Sequence, residues 1–140
     1  MIHTLLFFLT HITNPLISLG VEPINEISVQ TISLPINIPS QPSTLISQSS
    51  YSITTNGDEK KIIGSLDLLS PPNLILSIAL QAPSGATSHG KVKLSSQNVT
   101  LVSNISRVAQ SNLDIIYTFS AISPVLSDKY SKVVRLTLVD

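Results

Sequence analysis

Residue types that can do chemistry are few in this chain, and their spacing brings none of them together. The three histidines are His3, His11 and His89, none at a ligand spacing such as His-x-x-x-His. Each reads as an isolated polar residue. Serine is plentiful, yet no Gly-x-Ser-x-Gly elbow occurs, and a Ser-His-Asp set could only be assembled from His89. The carboxylates are Glu22, Glu26, Asp58, Glu59, Asp67, Asp114, Asp128 and Asp140. Asp58-Glu59 supplies the hard oxygen atoms that calcium prefers, but it follows Asn56-Gly57 and reads as turn chemistry, with no Asp-x-Asp-x-Asp loop. Nothing sets two carboxylates at the working separation of a glycosidase. With no cysteine, disulfides, thiolate nucleophiles and cysteine-based metal centres are excluded. The expectation is no catalytic, cofactor-binding or metal-binding residue, and a protein that is not an enzyme.

Charge argues the same way. Eight basic and eight acidic residues give a formal net charge of zero, and Lys60-Lys61 is the one basic doublet, read as a solvated hairpin start. Nucleic acid is therefore an unexpected partner, and the sparse aromatics offer no base-stacking platform. Tyr51, Tyr117 and Phe119 read as core. Asn98-Val-Thr100 and Asn104-Ile-Ser106 match the N-glycosylation pattern, which arises readily by chance in a chain so rich in Ser, Thr and Asn. Phosphate-cradling glycine loops are missing.

The elements that must carry these residues read as strands. The chain has 140 residues, 42% hydrophobic but only 4% aromatic, so its core rests on Ile, Leu and Val, which suit a pleated sheet. Its charged fraction of 11% is less than half the usual share of about 25%. Hydroxyls and amides cover the polar faces instead, a surface style suited to secreted or cell-surface β proteins.

Tyr51–Leu66 carries the strongest local signal: two β-type runs, Thr44–Thr55 and Lys60–Leu66, flank Asn56-Gly57, which predicts a hairpin with a type I′ turn. Ile27–Leu34 predicts one half-buried strand. Pro35, Pro39 and Pro42 predict an edge strand or rim loop rather than a polyproline ligand. Leu74–Leu80, bounded by prolines, predicts a strand buried on both faces, and Gln81–Gly90 a loop. Lys91–Ser95 and Val99–Val102 predict short strands. Ile105–Asn112 admits a helical turn through Ile105, Val108 and Ala109. Leu113, Ile115, Tyr117, Phe119 and Ala121 predict one face of a strand, Ile122–Tyr130 a loop, and Val133–Val139 a closing strand with Val134, Leu136 and Leu138 inward. The sum is an all-β fold, an antiparallel Ig-like β-sandwich of about seven to nine short strands.

Residues 1–20 stand apart from the sandwich domain at 21–140. Their apolar burst is too short and too polar for a transmembrane span. Three readings stay open: a degenerate export signal, an N-terminal arm or donor strand, and a mispredicted start.

Tyr51-Ser-Ile-Thr-Thr-Asn-Gly57, Lys61-Ile-Ile-Gly-Ser-Leu-Asp67, Leu80-Gln-Ala-Pro-Ser-Gly-Ala86, Ile116-Tyr-Thr-Phe-Ser-Ala121 and the terminal Val133-Val-Arg-Leu-Thr-Leu138 resemble small exported bacterial surface proteins of immunoglobulin-like or fimbrial type, similar in style to pilus subunits and spore-coat-U-like domains. The resemblance spans Ile24 to Asp140 and departs from the pattern at the N-terminus, where a well-formed signal peptide belongs. It implies an extracellular or cell-surface structural or adhesive subunit, assembling into filaments by strand complementation. The partner is then another copy or another surface protein. The competing reading is a monomeric module binding glycan or protein through loops 81–90 and 122–130. No catalytic residue comes with the resemblance.

Overall fold

The computed structural model describes residues 2–4, 7–11, 22–30, 32–34, 43–66, 74–121 and 133–140. All regular structure among them is extended: β1 (Ile2–Thr4), β2 (Phe7–His11), β3 (Ile24–Val29), β4 (Ile32–Leu34), β5 (Ser43–Thr55), β6 (Lys60–Leu66), β7 (Leu74–Leu80), β8 (Thr87–Ser88), β9 (Val92–Lys93), β10 (Val99–Ile105), β11 (Val108–Ala121) and β12 (Val133–Val139). Eight have five residues or more, within the range expected. They form two six-stranded sheets, β4-β1-β12-β6-β10-β8 (sheet A) and β2-β3-β5-β11-β7-β9 (sheet B). Every pairing is antiparallel except β1 with β12. No helix among the described residues is long and apolar enough to cross a membrane.

One aliphatic core lies between the sheets. Ile62, Leu101, Ile105, Val134 and Leu136 come from sheet A; Ile27, Ile53, Leu76, Ile78, Leu113 and Ile115 come from sheet B. The alternation in β11 holds: Leu113, Ile115, Tyr117, Phe119 and Ala121 are all buried. In β12 it holds as well, with Val134, Leu136 and Leu138 inside. β7 lies flat; its inward Leu74, Leu76, Ile78 and Leu80 are buried, while Ile75 and Ala79 on the outer face are half-buried. Small residues stand beside Tyr117. Ser47 and Ser49 stand opposite Tyr117 and Ile115, and Ser49 Oγ lies 3.2 Å from the buried Tyr117 hydroxyl. Tyr51 Oη donates to the Gln81 carbonyl at 2.5 Å.

The expected hairpin is not formed. β5 and β6 lie in different sheets, and Asn56-Gly57 belongs to an arch that crosses between them. Near Thr55 both edges of β5 are already taken, by Asn25 of β3 on one side and Val108 of β11 on the other, so β6 has no edge to pair with. Neither Asn56 nor Gly57 has positive φ; that conformation falls on Glu59 instead, at 53°.

Two more boundaries shift for the same reason. The strand expected over Ile27–Leu34 divides, with β3 in sheet B and β4 in sheet A. The helical turn that Ile105–Asn112 admits is absent: β10 ends at Ile105 and β11 begins at Val108 in the other sheet. Between Gln110 and Leu113 the register against Ile53 and Tyr51 gains one residue, a β-bulge with Asn112 at φ 57°. The bulge exchanges the faces on which odd and even positions lie, while the helix-like step from Ile105 to Val108 comes from the crossing between sheets at Ser106–Arg107.

On one flank both sheets are closed by the chain from Gln81 to Asn98. The expected loop carries β8, which adds to sheet A, and the Lys91–Ser95 run contributes β9 to sheet B. Buried Leu94 donates its N–H to Leu76 O of sheet B, and Ser95 O accepts from Leu66 N of sheet A. On the other flank the first strands do the closing. β1 is inserted between β4 and β12, and β2 lies along β3. The part of the N-terminal segment from 12 to 20, the proline-rich 35–42 and the loop 122–130 lie outside the described residues.

Candidate functional site

The most developed surface feature sits where the chain crosses between sheets twice, side by side. The β5–β6 arch (residues 56–59) and the β10–β11 arch (Ser106–Arg107) lie against each other because β5 pairs with β11 and β6 with β10. Arg107 N–H donates to Gly57 O at 2.9 Å, and Glu59 N–H to Ser106 Oγ at 2.9 Å.

Asn56 ties the arches to β3. Its amide N–H donates to Ile24 O, its Oδ1 accepts from Ile24 N–H at 2.9 Å, and its Nδ2 donates to Glu22 O at 2.8 Å. Beneath it, Thr55 Oγ1 donates to Asn25 Oδ1 at 2.7 Å and accepts from Gly57 N–H at 3.0 Å. Both residues of that Thr55–Asn25 pair are buried, so the Thr55 hydroxyl and the Asn25 carbonyl oxygen satisfy each other where water does not reach.

Charge gathers on the same end. The Arg107 guanidinium meets Asp58 in a forked pair, Nε to Oδ1 at 3.1 Å and the second nitrogen to Oδ2 at 3.3 Å, while Lys60 pairs with Asp140. Ile24, Thr54, Thr55, Asn56, Arg107, Val108 and Ala109 line an open depression of about 520 Å³ with a mostly apolar floor. That volume falls in the range of small-ligand sites, but its polar atoms are largely committed to each other.

The residues weighed for chemistry stay scattered. Asp58, read as turn chemistry, is held by Arg107, and no group of three or more His, Asp or Glu among the described residues is placed to hold a metal. His89 is exposed in the loop after β8, its Nε2 3.0 Å from Ser103 Oγ. His3 and His11 fall on β1 and β2, opposite Val133 and Ile24 respectively. Of the doublet read as solvated, Lys61 is exposed, whereas the Lys60 side chain is largely covered and paired with Asp140. Asn98 and Asn104 are exposed; Asn104 is left-handed at φ 59° and donates from Nδ2 to Thr87 Oγ1 at 3.3 Å. Tyr51, Tyr117 and Phe119 are core, and burial pushes the Tyr51 hydroxyl well above its ordinary pKa.

Sequence reasoning missed Arg107 and Ser106. Their importance follows from the second arch, and the signal that could have found it is the three-residue step between inward Ile105 and Val108. No protein-family model, curated protein or solved structure matches this chain.

Proposed function

We propose that the chain is a non-enzymatic structural or adhesive subunit of an extracellular or cell-surface assembly, exported from a bacterium, whose copies join by strand complementation. One observation carries this reading: residues 2–11 supply a strand to each sheet, and β1 fills a slot with pairing partners on both sides. A strand that pairs along a slot through backbone hydrogen bonds can be supplied by another copy as well as by the same chain. The opposite flank is tied shut by chain crossing between the sheets, so exchange is directed to one side. The hydroxyl- and amide-rich surface and the scattered ionisable groups agree with a protein that acts by shape and edges.

Removing residues 1–20 tests it. Assemblies seen by electron microscopy in the full chain are lost in the shortened one, and adding a peptide of residues 1–20 restores the sheet signal in circular dichroism. Filaments that persist without residues 1–20 rule out strand supply from that segment. The second reading, a monomeric glycan- or protein-binding module, is favoured by the depression at the arches, and a monodisperse monomer in sedimentation is its signature.

A further inference from the structure

We infer that Asn56-Gly57 is a site of spontaneous covalent modification, and that residues 22–24 hold it unreacted by anchoring the Asn56 side chain. Asn56 is the one asparagine in the chain followed by glycine, whose nitrogen no Cβ shields. Attack of that nitrogen on Asn56 Cγ forms a new N–Cγ bond and breaks the Cγ–Nδ2 bond. Nδ2 departs as ammonia, taking the proton of the Gly57 amide, and a five-membered succinimide is left. Water then opens one of the two ring carbonyls, giving aspartate or, with the chain rerouted through the side chain, isoaspartate. Asn98 and Asn104 are exposed as well, but Val99 and Ile105 follow them with branched side chains that crowd the nitrogen.

Both reacting groups are occupied in the folded chain. The amide is fixed at its two ends: Oδ1 accepts from Ile24 N–H at 2.9 Å and Nδ2 donates to Glu22 O at 2.8 Å. Because the amide is planar, Cγ turns toward the Gly57 nitrogen only when both bonds are given up. That nitrogen itself donates to Thr55 Oγ1 at 3.0 Å. The backbone around it is held from both sides, Asn56 N–H donating to Ile24 O and Gly57 O accepting from Arg107 N–H. The reaction therefore waits on local opening of the arch from β3. Its products do not restore the contact. Aspartate sets an acceptor against the Glu22 carbonyl where a donor stood, and isoaspartate adds a carbon to the main chain between the bonds of Asn56 N–H and Gly57 O. A modified chain keeps a permanent mark of having opened there. The inference does not rest on strand supply between copies.

Peptide mapping by mass spectrometry, after incubation at mildly alkaline pH, reads the reaction as amide-to-acid conversion and isoaspartate at position 56. With two side-chain hydrogen bonds to break, the folded full chain reacts at least about tenfold more slowly than the same chain unfolded in urea. Gly57→Ala suppresses the reaction in the unfolded chain, as the succinimide route requires. Ile24→Pro keeps the carbonyl and an apolar side chain at the first position of β3 but removes the N–H that Asn56 Oδ1 accepts from. The folded variant therefore reacts faster than the wild-type chain, by about threefold or more. Circular dichroism checks that Ile24→Pro is folded, and where it is not, the wild-type comparison decides alone. Equal rates in the folded and unfolded wild-type chain overturn the proposal. So does a folded Ile24→Pro that reacts no faster, or an unfolded Gly57→Ala that reacts as fast as the wild-type chain.

Discussion

Asn56 engages three backbone groups of the segment that leads into β3, two of them through its side chain. Alanine there removes both side-chain hydrogen bonds and should cost about 1–2 kcal/mol in denaturant unfolding, whereas aspartate keeps the acceptor for Ile24 N–H and costs less. The Arg107–Asp58 pair is different. Both side chains are more than half exposed, so Arg107→Ala should change stability by less than about 1 kcal/mol despite the forked geometry.

Tyr51 contributes to the alkaline limit. Its hydroxyl is buried and stays protonated above the pH of about 10 at which an unfolded tyrosine ionises. Above that point the folded state binds more protons than the unfolded one, so stability falls as pH rises, and below it the contribution is constant. Thermal unfolding between pH 8 and 12 should show a steepening loss that is reduced in Tyr51→Phe.

At the scale of elements, what the sequence displayed was every strand whose alternation is unbroken. β12 and the second half of β11 could be read residue by residue, because a buried face imposes period two and nothing interrupts it. The arches could not. Asn56-Gly57 has the local preference of a hairpin turn, but the strands occupying both edges of β5 come from β3 and β11, about thirty residues before and fifty after. A window of a few residues holds no record of them. The split between β3 and β4 was hidden in the same way, and the bulge at Asn112 disguised the start of β11.

Gly64 of β6 shows how closely the layers meet. A Cβ there would lie 2.7 Å from Leu101 Cδ1 and 3.3 Å from Leu136 Cδ2, so Gly64→Val should destabilise the domain by about 1–3 kcal/mol through overpacking. Gly64→Ala should cost less, since the nearest atom is a side-chain methyl that can shift. Equilibrium unfolding of the two variants measures the difference.

For the whole molecule, the fold class was legible and the function was not. Two sheets around an aliphatic core follow from composition and period two. The site does not, because the arches assemble groups from residues 22–25, 54–60 and 105–109, and the types gathered there, an amide, a guanidinium and hydroxyls, carry no spacing signature. What the architecture adds is an asymmetry: one flank is bound shut by Leu94 and Ser95, while the other is completed by short strands from the first eleven residues. The proposed strand supply between copies rests on that difference.

Isotope-filtered NMR on a mixture of ¹⁵N-labelled and ¹³C-labelled copies, associated together, asks the question at one register position. Thr4 lies beside Val134 in the pairing of β1 with β12. If strands are supplied between copies, contacts between those two residues appear across the two labels in the associated fraction. If they are found only within a single label while the copies remain associated, each chain keeps its own strand and the account is contradicted.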